Sequence, residues 1–396
     1  MTTRGDLSST EGLMSAWQLR DYGGVESLEL VKDLPIPKII SSKDVLIEVK
    51  AASVNVLDAW MPDGYGKVVF ETFFRTHLPV TLGRDFAGIV REVGKGVTEL
   101  KPGDECMGVV PPQSGTGSHA QFVVVSDSFV VMKPSNLTMV EAASIPYAGL
   151  TAWSGLRNIG GLGEVLNGKD VLIMGAAGGI GSIATQLCKI WGSKVVSTCS
   201  TDAIPVIQNL GSDVIVDYKS ADANSKLRAL GGFDVILDCT GKWDGYDYDL
   251  LKSCVNAKYL TLVPPILNNF NNYGVIGGIL KTIYDLIAAN ILIIFKLKTL
   301  RWVLFSPNSS ALRKLRDYAQ NEKLKPLIDS VFTFDQLKEA YYKMKAGHAR
   351  GKIVIEMISD PKILLQEKEK IGDKMLGRKS IFVLALCSEK ADHGQK

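Results

Sequence analysis

The chain has 396 residues and a mass of 43.0 kDa, a length that predicts two or three domains rather than one core. Hydrophobic residues make up 46% of it and charged residues 22%, and the mean hydropathy is +0.11, which excludes a disordered or fibrous protein. Because 45 basic residues nearly balance 42 acidic ones, the net charge is only +3, and we expect no nucleic-acid partner.

Cysteine usage and the N-terminal residues bear on the compartment. The six cysteines lie far apart without a C-x-x-C pair, which indicates a reducing compartment rather than a disulfide framework or a zinc ribbon. Residues 1–14 contain one arginine, two acids and no apolar core, which predicts neither a secretory signal nor a typical transit peptide.

Residues 14–150 carry the pattern of β-strands. Alternating runs such as Asp44–Val54 and Ala120–Met132 are separated by turns rich in glycine, proline and aspartate, among them Lys101–Asp104. Strands at this spacing predict an antiparallel, barrel-like domain.

From about Thr151 onward, short apolar runs alternate with helical patterns. The predicted strands and helices are Asp170–Met174, Ile183–Trp191 (helix), Lys194–Thr198, Ile204–Leu210 (helix), Asp213–Asp217 and Phe233–Asp238. Buried strands that alternate with helices form βαβ units, so we predict a parallel sheet and an α/β fold with a β-rich partner domain.

The most apolar segment is Gly274–Phe305. Its longest apolar run, Leu286–Phe295, is interrupted by Asn290 and falls short of the roughly twenty residues that a membrane span needs. A buried helix or an interface strand is the prediction that we favour over a membrane-surface helix, and a lid over an apolar substrate is compatible with it.

The last part of the chain begins with helical patterns. Ala311–Asn321 and Asp335–Ala346 read as amphipathic helices, and Gly351–Met357 reads as a closing strand. From Ser359 the composition turns rich in lysine and glutamate, which predicts a solvated helix or a disordered tail over 359–396.

A glycine-rich turn carries the strongest chemical signal. Ala176, Gly178 and Gly181 match A-x-G-x-x-G directly after a predicted strand and before a predicted helix. Small residues here allow a sharp turn, a close approach to a pyrophosphate and tight packing of helix on strand, while the helix N-terminus supplies free N–H groups. This context predicts dinucleotide binding rather than a mere tight turn.

The end of the next strand bears on which dinucleotide binds. Val195–Ser200 ends without the carboxylate that grips the ribose 2′-hydroxyl of NAD, and Ser200 can donate a hydrogen bond to a 2′-phosphate. Tyr218 and Lys219 could add stacking and charge. Asp202 argues in the other direction, and no arginine follows the strand, so NADPH is the predicted cofactor on balance.

Other chemistries lack their residues. The four histidines, His77, His119, His348 and His393, have no cysteine at the short spacing of a zinc site, and there is no G-x-S-x-G elbow for a serine hydrolase. Hydride transfer, in which the cofactor performs the difficult step, remains.

Several motifs together resemble the medium-chain dehydrogenase/reductase superfamily. They are Ala51–Asn55, Gly83–Gly88, Lys101–Asp104 and the glycine-rich turn. Zinc alcohol dehydrogenases of this superfamily carry Gly-His-Glu where this chain has Gly83, Arg84 and Asp85, so the resemblance is to the zinc-free quinone oxidoreductase branch. Further stretches resemble a mitochondrial group in that branch: Leu78–Asp85, Val109–Pro112, Ile145–Ser154, Val216–Ser220 and Gly347–Lys352.

The resemblance implies a GroES-like β-barrel domain split around a Rossmann doubly wound parallel-sheet domain. On this basis we predict a first catalytic part at 14–150, an NADPH-binding domain at 151–305 and a return to the catalytic domain at 306–358. It also implies cofactor contacts from the turn, from the ends of later strands and from the closing segment. With the turn glycines and Lys219 included, the predicted cofactor-binding residues are Ala177, Gly178, Gly179, Ile180, Gly181, Ser200, Tyr218, Lys219, Leu260, His348, Ala349 and Arg350.

The predicted reaction is hydride transfer from NADPH to a quinone or a related enone, and the resemblance implies mitochondrial residence and a role in ubiquinone metabolism. Asn55 could polarise a carbonyl oxygen and Tyr65 could donate a proton, although a turn-forming asparagine and a loop aromatic are equally consistent. Asp85 reads as a turn and capping residue.

Two alternatives stay open. One is an enoyl-thioester reductase, and the other is a cofactor-binding interaction protein without turnover, for instance a partner of reticulons. We also expect a homo-oligomer through an edge strand near Arg301–Phe305 and allow for a peripheral membrane contact.

Overall fold

The computed structural model describes residues 12–163, 168–241, 247–254, 256–291 and 293–358, so the tail at 359–396 lies outside the described residues. In chain order, strands β1 to β16 are Leu13–Leu19, Leu28–Pro35, Asp44–Val54, Val80–Thr81, Asp85–Val93, Glu105–Val109, Phe122–Ser126, Val130–Met132, Asp170–Met174, Lys194–Cys199, Val214–Asp217, Val235–Asp238, Ala257–Thr261, Lys298–Trp302, Ile328–Thr333 and Lys352–Glu356. Helices α1 to α10 are Val56–Trp60, Lys67–Phe73, Met139–Ala143, Pro146–Trp153, Gly179–Ile190, Ile204–Asn209, Ala223–Leu230, Ile266–Ile291, Ser309–Gln320 and Leu337–Ala346.

Strands from both ends of the chain form a mostly antiparallel sheet. Its order is β15-β16-β3-β5-β6-β8. The first half of β3 also pairs with β7, on the edge that its second half shares with β16. The pairing of β3 with β5 shifts register twice, and such bulges bend a strand as a barrel requires. Because Ile353 of β16 pairs with Val54 of β3, the closing segment rejoins the first domain.

The second large sheet is parallel throughout, with the order β11-β10-β9-β12-β13-β14. Val171, Leu172 and Ile173 of β9 are fully buried, as expected for a central strand covered on both faces. The direction of strand addition reverses between β9 and β12, and sheets of this kind bind ligands in the crevice outside that point. The predicted α/β fold, a GroES-like domain with a Rossmann sheet, is confirmed, whereas the domain limits at 150, 305 and 358 stay a prediction.

Helix α4 joins the cores of the two sheets. Ala87 and Met107 of the barrel, Ala148 of α4, and Val171 and Ile173 of the parallel sheet belong to one hydrophobic cluster. The packing therefore brings the glycine-rich turn, which follows β9, next to the start of β5 and to β16.

The apolar segment differs from its prediction. Helix α8 is 26 residues long with a kink at Gly274, and it buries only Asn269, Phe270 and Gly278. The prediction of a buried helix is thus wrong for α8, and among the described residues of the segment only β14 forms a strand, whose role as an interface stays a prediction. Hydropathy reports the apolar surface of a helix, but it does not report whether another element covers that surface.

Candidate active site

The glycine-rich turn has the geometry of a phosphate cradle. Gly175 adopts a φ of +73°, and a Cβ at Gly181 would lie 2.3 Å from the carbonyl oxygen of Gly175, so the helix and the turn approach as closely as they do only with glycine at 181. Helix α5 begins after Gly178 without a side-chain cap. Its first N–H groups and the positive end of its dipole are therefore available to a phosphate, which fits a dinucleotide.

The closing segment returns to this turn. The N–H of Gly351 donates to the carbonyl oxygen of Ala177 at 2.8 Å, and Gly351 forms a parallel bridge with Gly178. On its other side Gly351 approaches Leu327, where a Cβ would lie 2.2 Å from the carbonyl oxygen of Leu327, so glycine is required at 351. His348, Ala349 and Arg350 accordingly lie beside the turn, and their contact with a cofactor stays a prediction.

An arginine reaches the end of β10 from far along the chain. The Arg350 guanidinium forms an ion pair with Asp202, two residues after Ser200. On the neighbouring strand, the N–H of Tyr218 donates to the carbonyl oxygen of Cys199 at 3.1 Å, so Tyr218 and Lys219 border the same strand end. No arginine follows β10 in the sequence, because the arginine at the end of this strand comes from the closing segment.

Leu260 is placed differently from its prediction. It lies inside β13 rather than after it, and its side chain is fully buried in the hydrophobic core. Its side chain therefore does not reach the cleft.

A buried polar cluster lies beside the turn. The Lys352 ammonium donates to Oδ1 of Asn55 at 2.6 Å and lies 3.3 Å from Oδ2 of Asp85. The Asn55 amide nitrogen in turn donates to the same Asp85 oxygen at 2.8 Å. A Cβ at Gly179 would lie 2.7 Å from Cδ of Lys352, so the lysine side chain packs directly against the start of α5. All three polar residues are buried.

Asp85 is the acceptor at the centre of this cluster. Besides Asn55 and Lys352, the hydroxyl of Ser53 donates to Oδ2 at 2.5 Å, and the N–H of Tyr147 donates to Oδ1 at 2.5 Å. The predicted turn position is wrong, because Asp85 is the fully buried first residue of β5. Asp85 does act as a capping residue, because it accepts a hydrogen bond from the N–H of Tyr147 in the first turn of α4.

Tyr147 adjoins the cluster through its N–H, and the predicted donor Tyr65 lies in the loop before α2. Burial raises the pKa of Tyr65, and burial, with the carboxylate of Asp58 next in importance, raises the pKa of Tyr147. The Tyr147 ring stacks on Phe305 with centroids 4.2 Å apart. Both hydroxyls therefore stay protonated at neutral pH.

Comparisons with known proteins agree with this architecture. Residues 41–135 match the family described as alcohol dehydrogenase GroES-like domain, and residues 210–355 match the family described as zinc-binding dehydrogenase. Over 361 residues the chain is 38% identical to the human protein named NAD(P)H oxidoreductase RTN4IP1, mitochondrial, with 87% of this chain and 90% of that one covered. The chain belongs to the medium-chain dehydrogenase/reductase superfamily.

Members of this superfamily that reduce enones and quinones are among its relatives. It is 32% identical to the 2-methylene-furan-3-one reductase of Solanum lycopersicum, with 87% of this chain and 79% of that one covered. The structure of the quinone oxidoreductase from Coxiella burnetii matches 87% of this chain and all of that one, with a TM-score of 0.71 and 28% identity. The resemblance seen in the sequence is confirmed, and the chain is an oxidoreductase of this superfamily.

The residues at the position of the zinc ligands of this superfamily do not fit a metal. The buried Arg84 guanidinium lies 3.5 Å from the Asp58 carboxylate, where a cation would repel a second one. His119 pairs with the hydroxyl of Tyr341 at 3.0 Å, and burial lowers its pKa. Over the described ranges, no group of three or more His, Cys, Asp and Glu side chains could hold a metal ion. We derive no step through a metal.

Proposed function

We propose that the chain is an NADPH-dependent, zinc-independent reductase that delivers hydride to a quinone or a related enone. The observation that carries this proposal is the buried Lys352 ammonium, held by Asn55 and Asp85 against the first turn of α5. A fixed positive charge next to a dinucleotide cradle is what a reaction that creates an oxyanion requires.

The cofactor would be held by residues that the fold brings together. The uncapped start of α5 would bind the pyrophosphate, and Ser200, Tyr218, Lys219 and Arg350 would surround the 2′-phosphate. When bound, NADPH supplies the hydride, and the reduced acceptor becomes a hydroquinone monoanion or an enolate that still needs a proton.

The chain's own residues would stabilise and protonate that anion. Two of the three N–H donors of Lys352 are directed to Asn55 and Asp85, and we assign the third to the acceptor oxygen. Asn55 uses its oxygen on Lys352 and one amide hydrogen on Asp85, so we now give it the role of a positioning residue rather than that of the polarising group. Tyr65 stays protonated and is the second candidate donor.

The acceptor class rests on the relatives and on one ring pair. Quinone and enone reductases are the named functions of similar proteins, and the stacked rings of Tyr147 and Phe305, next to Asp85, would provide a flat apolar contact for such an acceptor. An enoyl-thioester reductase would use the same cofactor and remains the second candidate. Turnover separates both from an interaction protein, which would bind NADPH without oxidising it faster when a quinone or an enone is added.

The cellular setting is part of the proposal. Relatives named as mitochondrial motivate a mitochondrial location and a role in ubiquinone metabolism. Reticulon binding and a homo-oligomer stay predictions, and the outer strand β14 of the parallel sheet is the edge that we expect a second copy to use.

Cofactor choice can be tested at the 2′-phosphate. Ser200→Asp is expected to weaken NADPH binding about 100-fold, because a carboxylate would repel the phosphate at short range. Arg350→Gln is expected to weaken it by about tenfold through the loss of one charge-assisted hydrogen bond. Dissociation constants for NADPH and NADH, measured by nucleotide fluorescence, check both values.

The control for this measurement is Ser225→Asp, which adds the same charge on the exposed surface of α7 and should change neither constant. NADH affinity should be unchanged in Arg350→Gln, since NADH lacks the phosphate. Equal NADPH and NADH affinities in the unmodified chain would contradict the proposed preference.

A further inference from the structure

The exposed face of α8 is an apolar surface that the proposed reaction does not use. Among the described residues, the segment Ile266–Lys296 is long and apolar enough to cross a membrane. However, only 12% of its most apolar stretch of 18 residues is buried in the protein. Ile276 is 77% exposed, and Phe295, just beyond the helix, is 85% exposed. Exposed apolar surface on this scale marks a contact with a partner or a membrane.

The apolar face is wide. Six large apolar or aromatic residues on the second leg of α8 are more than half exposed: Ile276, Leu280, Ile283, Tyr284, Ile287 and Ile291. With Ile279 and Leu286, and at about 100° per residue, they cover an arc of about 160°. On a helix that packs against another protein element, an apolar stripe about 100° wide is already enough.

The helix is fastened to the body of the protein and does not stand away from it. After the kink at Gly274 its second leg folds back, and Asn269 donates to Asp285 at 2.8 Å. Near its end, the N–H of Leu300 in β14 donates to the side chain of Asn290 at 2.8 Å. The first leg is bonded to the body of the protein through Asn271 and Gly64, and the second leg through Asn290 and β14. Because both legs are held against the body, this helix can lie in a membrane surface but cannot cross the bilayer.

The charges on the second leg avoid the apolar arc. Lys281 and Asp285 form an ion pair with each other at the polar side, and the Lys281 ammonium lies 5.3 Å from the centre of the Tyr284 ring. A lysine beside a tyrosine at the edge of an apolar face is typical of the membrane–water boundary, where both side chains reach toward the headgroups.

The first leg of α8 also contacts the loop of Tyr65, the second candidate proton donor of the proposed reaction. Asn271 of α8 donates to the carbonyl oxygen of Gly64 at 2.7 Å and accepts from the N–H of Val68, so the first leg is bonded to both sides of Tyr65. The exposed Phe73 of α2 packs edge-to-face on Phe270 of α8 and extends the apolar face toward that loop.

We propose that α8 is an interfacial helix that docks the enzyme on a phospholipid bilayer and turns the mouth of its cleft toward the membrane. The occupant is the lipid surface rather than a second copy, because the apolar arc is wide, is free of charge and is bordered by a lysine–tyrosine pair. Access of a bilayer-dissolved acceptor follows from this orientation and rests on the proposed function, whereas the docking itself does not.

The test is flotation of the full chain with phosphatidylcholine vesicles. We expect the unmodified protein to float with the vesicles and Leu280→Glu/Ile287→Glu to partition at least about 100-fold less, because each lost side-chain burial is worth about tenfold or more. The matched control is Ile40→Glu/Val331→Glu, which adds the same charges at exposed apolar residues away from α8 and should float like the unmodified chain.

NADPH binding and sedimentation of all variants verify that they are folded. The proposal is overturned if the unmodified chain stays in the soluble fraction, or if the α8 variant floats equally well. If α8 were instead an interface between two copies of the chain, the unmodified protein would be an oligomer that does not float, and the α8 substitutions would dissociate it. Flotation requires no turnover, so a failure of docking and a failure of quinone reduction are separate results.

Discussion

Lys352→Met is expected to lower kcat for quinone or enone reduction by about 100-fold while KM and the dissociation constant of NADPH change little. Removing one preorganised donor from an anion-stabilising site typically has an effect of this size. The substitution deletes the ammonium next to α5 but keeps an unbranched apolar stem of similar length. Steady-state kinetics with a soluble short-chain quinone, together with nucleotide fluorescence, measure the three constants.

The substitution also removes one partner of a buried ion pair, so we expect a lower free energy of unfolding as well. Asp85 would still accept from Ser53, Asn55 and the N–H of Tyr147, so its carboxylate stays hydrogen-bonded without the lysine. Kinetics measured below the unfolding transition of the variant therefore separate a specific loss of kcat from unfolding.

A second buried lysine provides the control. Lys298 of β14 is as deeply buried as Lys352, but its ammonium donates to the carbonyl oxygen of Tyr248 at 2.8 Å, far from the glycine-rich turn. Lys298→Met should affect stability and leave kcat unchanged. If Lys352→Met kept full activity and Tyr65→Phe lost it, the proton donor would be Tyr65 and our assignment would be wrong.

The parallel half of the fold was predictable because its signals are local. Each apolar run of the predicted βαβ units became a strand of the sheet, and the glycine-rich motif became the turn Gly175–Gly178 and the first residues of α5. Short strands, a glycine-rich turn and a helix that follow one another need no distant partner to be recognised.

The polar centre of the site was not predictable from the same evidence. Lys352 and Asn55 are 297 positions apart, and they meet only because β16 pairs with β3. Arg350 reaches Asp202 by the same return of the chain. Neither pairing has a local pattern, and a lysine at the start of a predicted strand is ordinarily solvated.

Asp85 shows how a local signal can point to the wrong environment. Gly83 and Gly88 surround it, which is typical of a turn, and Gly83 indeed has a φ of +99°. However, the strand begins at Asp85 itself, and β3 and α4 cover it. A buried carboxylate needs donors around it, and those of Asp85 come from β3, α4 and β16, so the residues next to it in the sequence could not reveal its environment.

The second large effect concerns the stability of this cluster. Asp85→Asn is expected to lower the free energy of unfolding by about 3–5 kcal/mol, since removing one partner of a buried ion pair leaves the other charge uncompensated. Each carboxylate oxygen of Asp85 accepts from a donor, so the NH2 group that replaces one of them would face a donor in either orientation. In one orientation the donor is the N–H of Tyr147, and in the other the donors are Ser53, Asn55 and Lys352. Urea denaturation followed by tryptophan fluorescence measures the change.

The double variant Asp85→Asn/Lys352→Met separates the charge from the packing. Because it removes both members of the pair, it should be more stable than Asp85→Asn alone by about 1–3 kcal/mol, a coupling within the range measured for residues in contact. Asp222→Asn is the matched surface control, since its ion pair with Lys226 on α7 is exposed and its loss should leave the free energy of unfolding nearly unchanged. If the double variant were instead less stable than Asp85→Asn, the ammonium would be stabilised by its other partner, Asn55, and Asp85 would act through its hydrogen bonds to Ser53 and Tyr147 rather than through its charge.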